Sequence, residues 1–386
     1  MTNRRDFLQY LVSLGVVVSF PSFLNANVAK SGKTLVLVEL KGGNDGLNTL
    51  IPYANPLYYD LRKSLAISKN SVLKIDENVG FHPSLKGFEK LFAQNRLACL
   101  QGVGYPNPNR SHFRSIEIWE SVSKSDEYLQ NGWITDALKG EERLLDGLVI
   151  GKNSLGPLFG AGIKTLTMDN LDKFLKSTKS LDTKKAHSTT SNNALAHLIG
   201  VENDIESTKQ VFSKKLISRK KFKQDKFGKN KFAKAMYETA RVIVSDLNIP
   251  VIKVSLGSFD THSNQLGKHA NLLKQLGDGL HQFGQVLQEY DRWNDVLVMT
   301  YSEFGRRVKQ NASRGCDHGK ASSHFVLGGQ VHSGLYGTYP SLSDLDNGDL
   351  KYNLDFRSLY STVLDDWWDI DRTSRLQNFT KIKNLL

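Results

Sequence analysis

Three short apolar segments constrain the fold of this chain more than any other feature. They are Thr34–Leu40, Val251–Leu256 and Val296–Thr300, and each is a nearly continuous run of aliphatic and β-branched residues. Runs of this kind are typical of strands that are buried on both faces of a parallel sheet. Between the last two, Leu and Phe recur at helical spacing from His269 to Tyr290. The strand–helix–strand order predicts an α/β fold with a parallel sheet and covering helices.

An acidic residue follows each of these segments. Asp45 lies in a glycine-rich turn after the first segment, Asp260 follows the second, and Glu303 follows the third. In open α/β sheets the ligand crevice lies beyond the carboxyl ends of the strands. We therefore expect the three carboxylates to meet at one edge of the sheet.

Imidazoles and further carboxylates accompany the second and third strands. Carboxylates and imidazoles that converge on a crevice are ligands of divalent metal ions. Each residue also has a structural role as an alternative, which for Glu303 is a buried ion pair with Arg306. For Asp45 the alternative is to cap a helix or to stabilise the glycine turn. The candidate metal ligands are Asp45, Asp260, His262, Glu303, Asp317, His318 and His324.

A separate segment, Arg110-Ser111-His112, places a hydroxyl between a guanidinium and an imidazole. Serine is a weak nucleophile unless a base or a metal ion lowers the cost of its deprotonation. We interpret Ser111 as the candidate nucleophile, with Arg110 or His112 available to stabilise a developing anion.

The 386-residue chain is basic, with a formal net charge of +12 and a pI near 9.4. This charge indicates attraction to an anionic substrate or surface. A Lys-rich segment at about 173–234 contributes much of it, and we interpret this segment as a solvated cap or insertion, with a basic binding surface as the alternative. Two cysteines, Cys99 and Cys316, allow one disulfide bond but no disulfide scaffold.

The N-terminus carries paired arginines, Arg4 and Arg5, ahead of a modest apolar run from Leu11 to Phe20. This pattern predicts a twin-arginine export signal over residues 1–29, read by the twin-arginine translocase. A membrane anchor is the alternative, but the run is shorter than the about 20 apolar residues that a spanning helix needs. The predicted mature chain, residues 30–386, is periplasmic or secreted, has no transmembrane segment and is not expected to bind nucleic acid.

Seven strings along the chain resemble the DUF1501 family of exported bacterial proteins, which is placed among alkaline phosphatase- and sulfatase-like folds. They span about residues 34–368 and read LVELKGGNDGLNTLIP, GYPNPNRSHFRSIEIWE, FDTHSNQLGKH, VLVMTYSEFGRRVKQN, DHGKASSHFVLGG, GLYGTYPSL and DFRSLY. The resemblance implies an alkaline-phosphatase-like α/β/α sandwich, with a mostly parallel sheet and helices on both faces.

The same resemblance implies two metal sites beside a nucleophile. Ser111 stands where the nucleophile could come, and Asp45 resembles the metal ligand after the first strand. Asp260 and His262 resemble the acid and imidazole of the other metal, and His318 resembles a late imidazole ligand.

The chain departs from the superfamily pattern after the third strand. Glu303 stands where an aspartate is usual, and Phe304 replaces an imidazole, so the second metal site is either incomplete or completed by another residue. Ser111 also lacks the Cys-x-Pro-x-Arg context of a formylglycine sulfatase. The residues available to complete the second site are Asp317, His324 and His112.

These features predict an exported hydrolase of phosphate or sulfate esters that uses one or two divalent ions, from among Zn, Mg, Mn and Ca. The alternative is an exported binding or assembly protein that retains the fold without turnover, because fold does not imply function. The number of tightly bound metal ions distinguishes the two.

Overall fold

The computed structural model describes residues 32–140, 143–177, 193–217 and 222–386. Its strands are short and its helices range from one to seven turns. In chain order the strands are β1 (Thr34–Leu40), β2 (Leu50–Ile51), β3 (Leu73–Lys74), β4 (Gly80–Phe81), β5 (Leu97–Gly104), β6 (Gly147–Ile150), β7 (Thr165–Met168), β8 (Val251–Leu256), β9 (Val296–Tyr301), β10 (Ser322–Gly328), β11 (Gly334–Tyr336), β12 (Leu345–Asp346), β13 (Asp349–Leu350) and β14 (Leu354–Asp355).

The helices fall mainly between these strands, as an α/β fold requires. In chain order they are α1 (Pro56–Leu61), α2 (Lys86–Ala93), α3 (His112–Ser121), α4 (Trp133–Leu138), α5 (Leu171–Ser177), α6 (Asn193–Ile217), α7 (Lys231–Val244), α8 (Gln265–Glu289) and α9 (Phe356–Thr362), which continues as a π-helical turn over Val363–Trp368.

The central sheet has nine strands among the described residues, in the order β11-β5-β10-β9-β1-β8-β6-β7, with β14 also paired to β5. The three strands predicted from sequence are neighbours at its centre, because β1 pairs in parallel with both β8 and β9. Only β10 runs against its neighbours β5 and β9. The carboxyl ends of β1, β8 and β9 therefore lie side by side.

Alternate residues of the central strands face two separate apolar cores. Val36 and Val38 of β1 belong to a core with residues of α2, α7 and α8. Leu35 and Leu37 point the other way, into a core built with α3, α4 and α9. The predicted α/β/α sandwich is thus confirmed, because the period-2 geometry of a strand directs successive side chains to opposite faces.

Two details of the sequence interpretation concern the core. Cys99 is a buried residue of β5 and Cys316 is buried as well, and both are free thiols in this structure. The aromatic residues of the Lys-rich segment, Phe222, Phe227 and Phe232, are buried in the core that contains α7 and α8. These three residues are core residues of the sandwich and not part of an exposed surface.

The predictions about membrane spans, the export signal and the Lys-rich cap concern different parts of the chain. No helix among the described residues has the length and apolar character to cross a bilayer. The predicted signal at 1–29 lies outside the described residues, as do 178–192 and 218–221 of the Lys-rich segment. Export, the translocase as a partner and the predicted cap therefore stay predictions.

Candidate metal centre

Four side chains converge at the carboxyl edge of the central strands. Asp260 and His262 follow β8, His318 lies between β9 and β10, and His112 is the first residue of α3. Oδ1 of Asp260 lies 2.9 Å from Nε2 of His262, 3.4 Å from Nε2 of His318 and 3.6 Å from Nε2 of His112. The Nε2 atoms of His262 and His318 are 3.0 Å apart. We call these four residues the metal centre.

The other ring nitrogen of each histidine contacts an acceptor. Nδ1 of His318 lies 2.9 Å from the carbonyl oxygen of Arg110, which can only accept a hydrogen bond. Nδ1 of His262 faces a carboxylate oxygen of Asp317 at 3.4 Å, and Nδ1 of His112 faces Oε1 of Glu303 at 3.2 Å. Each Nδ1 therefore carries the proton in the neutral ring, which leaves three Nε2 lone pairs facing the same point.

This arrangement fits a divalent metal ion. Ligand atoms about 2.0 Å from a tetrahedral Zn²⁺ lie about 3.3 Å from one another. Four of the six separations between donor atoms of the metal centre lie near this value, from 2.9 to 3.6 Å. Without a cation, lone pairs at such distances repel, so the donor set has the chemistry of a metal site.

Arg306 positions the metal centre through hydrogen bonds from its guanidinium. Its guanidinium is fully buried and donates to Oδ1 of Asp260 at 2.7 Å. The carboxylate partner of Arg306 is therefore Asp260, whereas the ion pair considered from sequence was with Glu303. It also donates to the carbonyl oxygens of Gly42, Gly43, Phe259 and Cys316. One side chain thereby connects the loops that follow β1, β8 and β9.

The local charges set the protonation of the centre. Burial opposes ionisation of Asp260, but the hydrogen bond and charge of Arg306 outweigh it and hold the pKa of Asp260 below its usual value. A hydrogen bond from Asn311 lowers the pKa of Asp317, against the effect of burial and with help from His262. Burial also lowers the pKa of His318, which favours the neutral, ligating ring.

Glu303 has a full set of partners without a metal ion. Its carboxylate accepts from the backbone N–H of Gly42 at 2.7 Å and of Gly43 at 3.0 Å, besides contacting Nδ1 of His112. Gly42 and Gly43 have φ values of 114° and 77°, which let two successive N–H groups point at one anion. The glycine turn after β1 thus fixes Glu303, and Glu303 orients His112.

Phe304 fills the position beside the metal centre. Its ring centroid lies 4.4 Å from that of His318 and 4.9 Å from that of His112, and the side chain is buried. A side chain on Gly43 would overlap the Phe304 ring at 2.5 Å. The ring packs tightly between the imidazoles and the first glycine turn, as expected for a residue that binds no metal.

Asp45 does not join the metal centre, contrary to the expectation from sequence. Its side chain is 1% exposed and pairs with the fully buried Arg62 at 2.6 Å, and Gln265 also donates to it. Burial opposes ionisation of Asp45, but Arg62 overcomes it and keeps the pKa below its usual value. Arg62 and Gln265 carried no signal in the sequence that marked them as partners of this carboxylate.

The structure places two further predicted ligands outside the four-residue centre. Asp317 contacts Nδ1 of His262 and accepts from Asn311 at 2.9 Å, so it orients a ligand. His324 lies on β10, is buried and packs against Trp119 with 5.0 Å between ring centroids. Because β10 runs antiparallel to β9, the expectation that residues gather at the carboxyl ends of parallel strands does not apply to His324. Asn311 is a functional neighbour that sequence reasoning missed.

The candidate catalytic segment lies next to the metal centre. Ser111 is exposed and is the N-cap of α3, directly before His112. The first N–H groups of a helix have no partners within the helix and favour anions. The carbonyl of Arg110 orients His318, while its half-exposed guanidinium pairs with Asp349 at 3.2 Å. Arg110 therefore has a backbone role that the sequence did not predict.

A pocket of about 250 Å³ opens on the other side of Phe304. Since the Phe304 ring also contacts His112 and His318, the pocket adjoins the metal centre. Four of its twelve lining residues are aromatic, and two are lysines. The lining residues include Tyr105, Trp119, Phe304, Lys320, Lys351 and Tyr352.

Comparisons with known proteins give a family and a set of distant structures. The chain is similar to the lipoteichoic acid synthase LtaP from Listeria monocytogenes, at 11% identity and a TM-score of 0.41 over 98% of this chain and 81% of that one. It is similar to a protein in the alkaline phosphatase superfamily from Vibrio parahaemolyticus, at 11% identity and a TM-score of 0.43 over 97% and 78%.

A third similar structure is the PsFucS1 sulfatase from Pseudoalteromonas sp., at 12% identity and a TM-score of 0.37 over 92% of this chain and 72% of that one. No protein of curated function matches the chain in sequence. The family described as protein of unknown function (DUF1501) matches residues 150–377, which is more than half of the 386 residues. The chain therefore belongs to the DUF1501 family.

Proposed function

We propose that this protein is an exported, metal-dependent hydrolase of phosphate or sulfate esters. The observation that carries the proposal is the convergence of Nε2 of His112, His262 and His318 on Oδ1 of Asp260 at the carboxyl edge of the sheet. A divalent cation bound there would act as a Lewis acid on an ester oxygen.

The residues around the metal centre support binding of an anionic group. Ser111 is the N-cap of the ten-residue helix α3, and the first residue of this helix, His112, belongs to the metal centre. Such a helix end attracts phosphate and sulfate through its unpaired N–H groups and its dipole. The half-exposed guanidinium of Arg110 adds a positive charge beside them.

Ser111 is the proposed nucleophile because it is exposed and directly precedes a residue of the metal centre. His112 directly follows Ser111 in the chain, and its ring is oriented through Glu303. A fixed neighbour lowers the entropic cost of bringing reacting groups together. The adjoining aromatic pocket provides a place for the organic part of the ester, held by stacking and apolar contact.

The test is hydrolysis of 4-nitrophenyl phosphate and 4-nitrophenyl sulfate by the purified, folded chain after loading with Zn²⁺. We expect activity that a chelator removes and that added Zn²⁺ restores. We expect Ser111→Ala to abolish it, since the variant retains the metal centre but lacks the hydroxyl. Full activity of Ser111→Ala would instead indicate water as the nucleophile.

The alternative is an exported binding or assembly protein without turnover. The observation in its favour is that Phe304 offers no ligand atom beside the metal centre and that Glu303 and Asp45 already have hydrogen-bond partners within the protein. A chain that binds Zn²⁺, folds normally and hydrolyses neither ester would favour this alternative.

His332→Gln is a matched control for all variants, because His332 is exposed and follows the end of β10 that pairs with the amino end of β9.

A further inference from the structure

We propose that the metal centre binds a single divalent cation of the zinc type, through three imidazole nitrogens and one carboxylate oxygen, with Glu303 and Asp317 as positioning residues. The inference deepens the proposed function and rests on it only in placing a cation at the same centre. It differs from the two-ion arrangement that the resemblance implied.

The type of cation follows from the donor atoms. Three of the four donors are imidazole nitrogens, namely Nε2 of His112, His262 and His318. Imidazole suits Zn²⁺ and other borderline metal ions, whereas Mg²⁺ and Ca²⁺ require oxygen ligands in sixfold or higher coordination. The nitrogen-rich set with spacings near a tetrahedral edge therefore selects zinc over magnesium and calcium.

The number of cations follows from the neighbouring carboxylates. Glu303 is saturated by the N–H groups of Gly42 and Gly43 and by His112. Asp45 is held by Arg62 and Gln265 inside the protein. Glu303 would have to lose several buried hydrogen bonds to bind a second ion, at a cost of about 1–3 kcal/mol for each buried group left unpaired. A cation at the buried Asp45 would lie beside the positive charge of Arg62.

The packing excludes a second ion in the same way. The Phe304 ring contacts both His112 and His318 and occupies the space between them and Gly43. Within the described part of the chain, the group of His, Cys, Asp and Glu side chains close enough to hold a metal ion is that of His112, Asp260 and His318. His262 is not part of that three-residue group, and we include it because its Nε2 lies 2.9 Å from Oδ1 of Asp260 and 3.0 Å from Nε2 of His318.

The charges near the metal centre match one divalent cation. Asp260, Glu303 and Asp317 each bring a formal negative charge, and the guanidinium of Arg306 brings one positive charge. Two net negative charges remain, which one divalent ion neutralises. A second divalent ion would leave two excess positive charges beside the buried Arg306, and like charges at short distance repel.

Glu303 and Asp317 act through the histidines that they contact. A carboxylate that accepts the Nδ1–H of a ligating histidine fixes its tautomer and raises its basicity, and loss of such a partner weakens metal binding about 10–100-fold. Asp317 is more than half exposed, so Asp317→Asn tests this role without disturbing the core. Glu303→Gln is the second variant, because Glu303 is buried and its backbone contacts matter for folding.

The experiment measures the metal content of the metal-free chain after titration with Zn²⁺ or Co²⁺, by elemental analysis and by calorimetry. We expect one equivalent, an intense visible absorption from tetrahedral Co²⁺, and no displacement by excess Mg²⁺. Asp317→Asn should retain one equivalent with about 10–100-fold weaker affinity. His262→Gln and His112→Gln should lose more affinity than that, while His332→Gln should match the unaltered chain.

Two equivalents per chain, displacement of Zn²⁺ by Mg²⁺, or unchanged affinity in both His262→Gln and His112→Gln would overturn the inference. No substrate is used, so the result is separate from that of the ester assays. A chain that binds one Zn²⁺ and hydrolyses no ester contradicts the proposed function and supports this site. A chain that hydrolyses esters with two bound ions supports the proposed function and contradicts the single-cation site.

Discussion

Asp45 and Asp260 are chemically identical residues in equivalent positions after neighbouring strands, yet they have different roles. Asp45 turns into the protein and meets Arg62, which is fully buried. Asp260 stays nearly half exposed and faces three imidazoles. The nearest cation or lone pair decides the role of each carboxylate, and this neighbour comes from a distant part of the chain.

At the residue scale we predict that Asp45→Ala destabilises the protein without changing its metal content. Removing one partner of a buried ion pair costs about 3–5 kcal/mol, because Arg62 is left as an uncompensated buried charge. Chemical denaturation measures the free energy of unfolding, and elemental analysis measures bound zinc. The double variant Asp45→Ala/Arg62→Met is the control, and it should recover part of the loss. Loss of zinc from folded Asp45→Ala would show that Asp45 is a ligand after all.

At the scale of elements, the carboxyl-end loops of β1, β8 and β9 form one unit through Arg306. The guanidinium donates to carbonyl groups from the first loop at Gly42 and Gly43 and from the second at Phe259. It therefore positions Asp260 and, through the same turn, the N–H groups that hold Glu303. The metal centre depends on this connection between loops as much as on its own ligands.

We predict that Arg306→Lys weakens zinc binding and loosens these loops. Lysine has three donors at one nitrogen and cannot match the planar fork of arginine, so buried carbonyl groups lose their partners. Each such loss costs about 1–3 kcal/mol. Hydrogen exchange of the Gly42, Gly43 and Phe259 amides should become faster, and zinc affinity should fall. The partly exposed Arg307 offers the matched control Arg307→Lys, for which slow exchange at those amides is expected to persist.

For the whole molecule, buried histidines link stability to pH. Burial lowers the pKa of His269 and His324 to about 3 and that of His82 to about 4. The unfolded chain has histidine pKa values near 6.5 and so binds more protons than the folded chain between these values. These histidines therefore leave the free energy of unfolding at its highest value above about pH 6.5. The free energy of unfolding falls as the pH drops toward 4, by up to about 1.4 kcal/mol per pH unit for each histidine.

Thermal unfolding of the metal-free chain between pH 7 and pH 5 tests this dependence. We expect the midpoint to fall with decreasing pH, and we expect a shallower fall in His324→Leu, which removes one of the three buried groups. His332→Gln, which alters an exposed histidine, should keep the slope of the unaltered chain. An identical slope in His324→Leu would mean that other groups cause the acid sensitivity.

The central strands were predictable from sequence because their apolar runs report burial directly. β1 and β8 have the predicted bounds, and β9 extends the prediction by one residue, to Tyr301. Helix α8 begins at Gln265, four residues before the predicted start, because its polar first turn carries no apolar periodicity. Burial is a property of each segment, so the local pattern of apolar residues records it.

The composition of the metal centre was only partly predictable. Asp260, His262 and His318 were expected as ligands, since acids and imidazoles at the ends of parallel strands share an edge. No local pattern favoured His112 over Asp317 or His324 as the additional donor. Tertiary contacts with Glu303 orient the ring of His112, while Asp317 turns toward Nδ1 of His262 and His324 packs on Trp119.

The amino-acid sequence by itself determined the α/β class, the central strands and the edge at which acidic side chains and imidazoles gather, because these follow from local patterning and from the direction of parallel strands. The tertiary structure alone decided which donors face one another, since the partners of Asp45, Glu303 and Asp260 lie 17 to more than 250 residues away along the chain. Electrostatics and hydrogen bonding act over a few ångströms in space, and separation in sequence does not encode that distance.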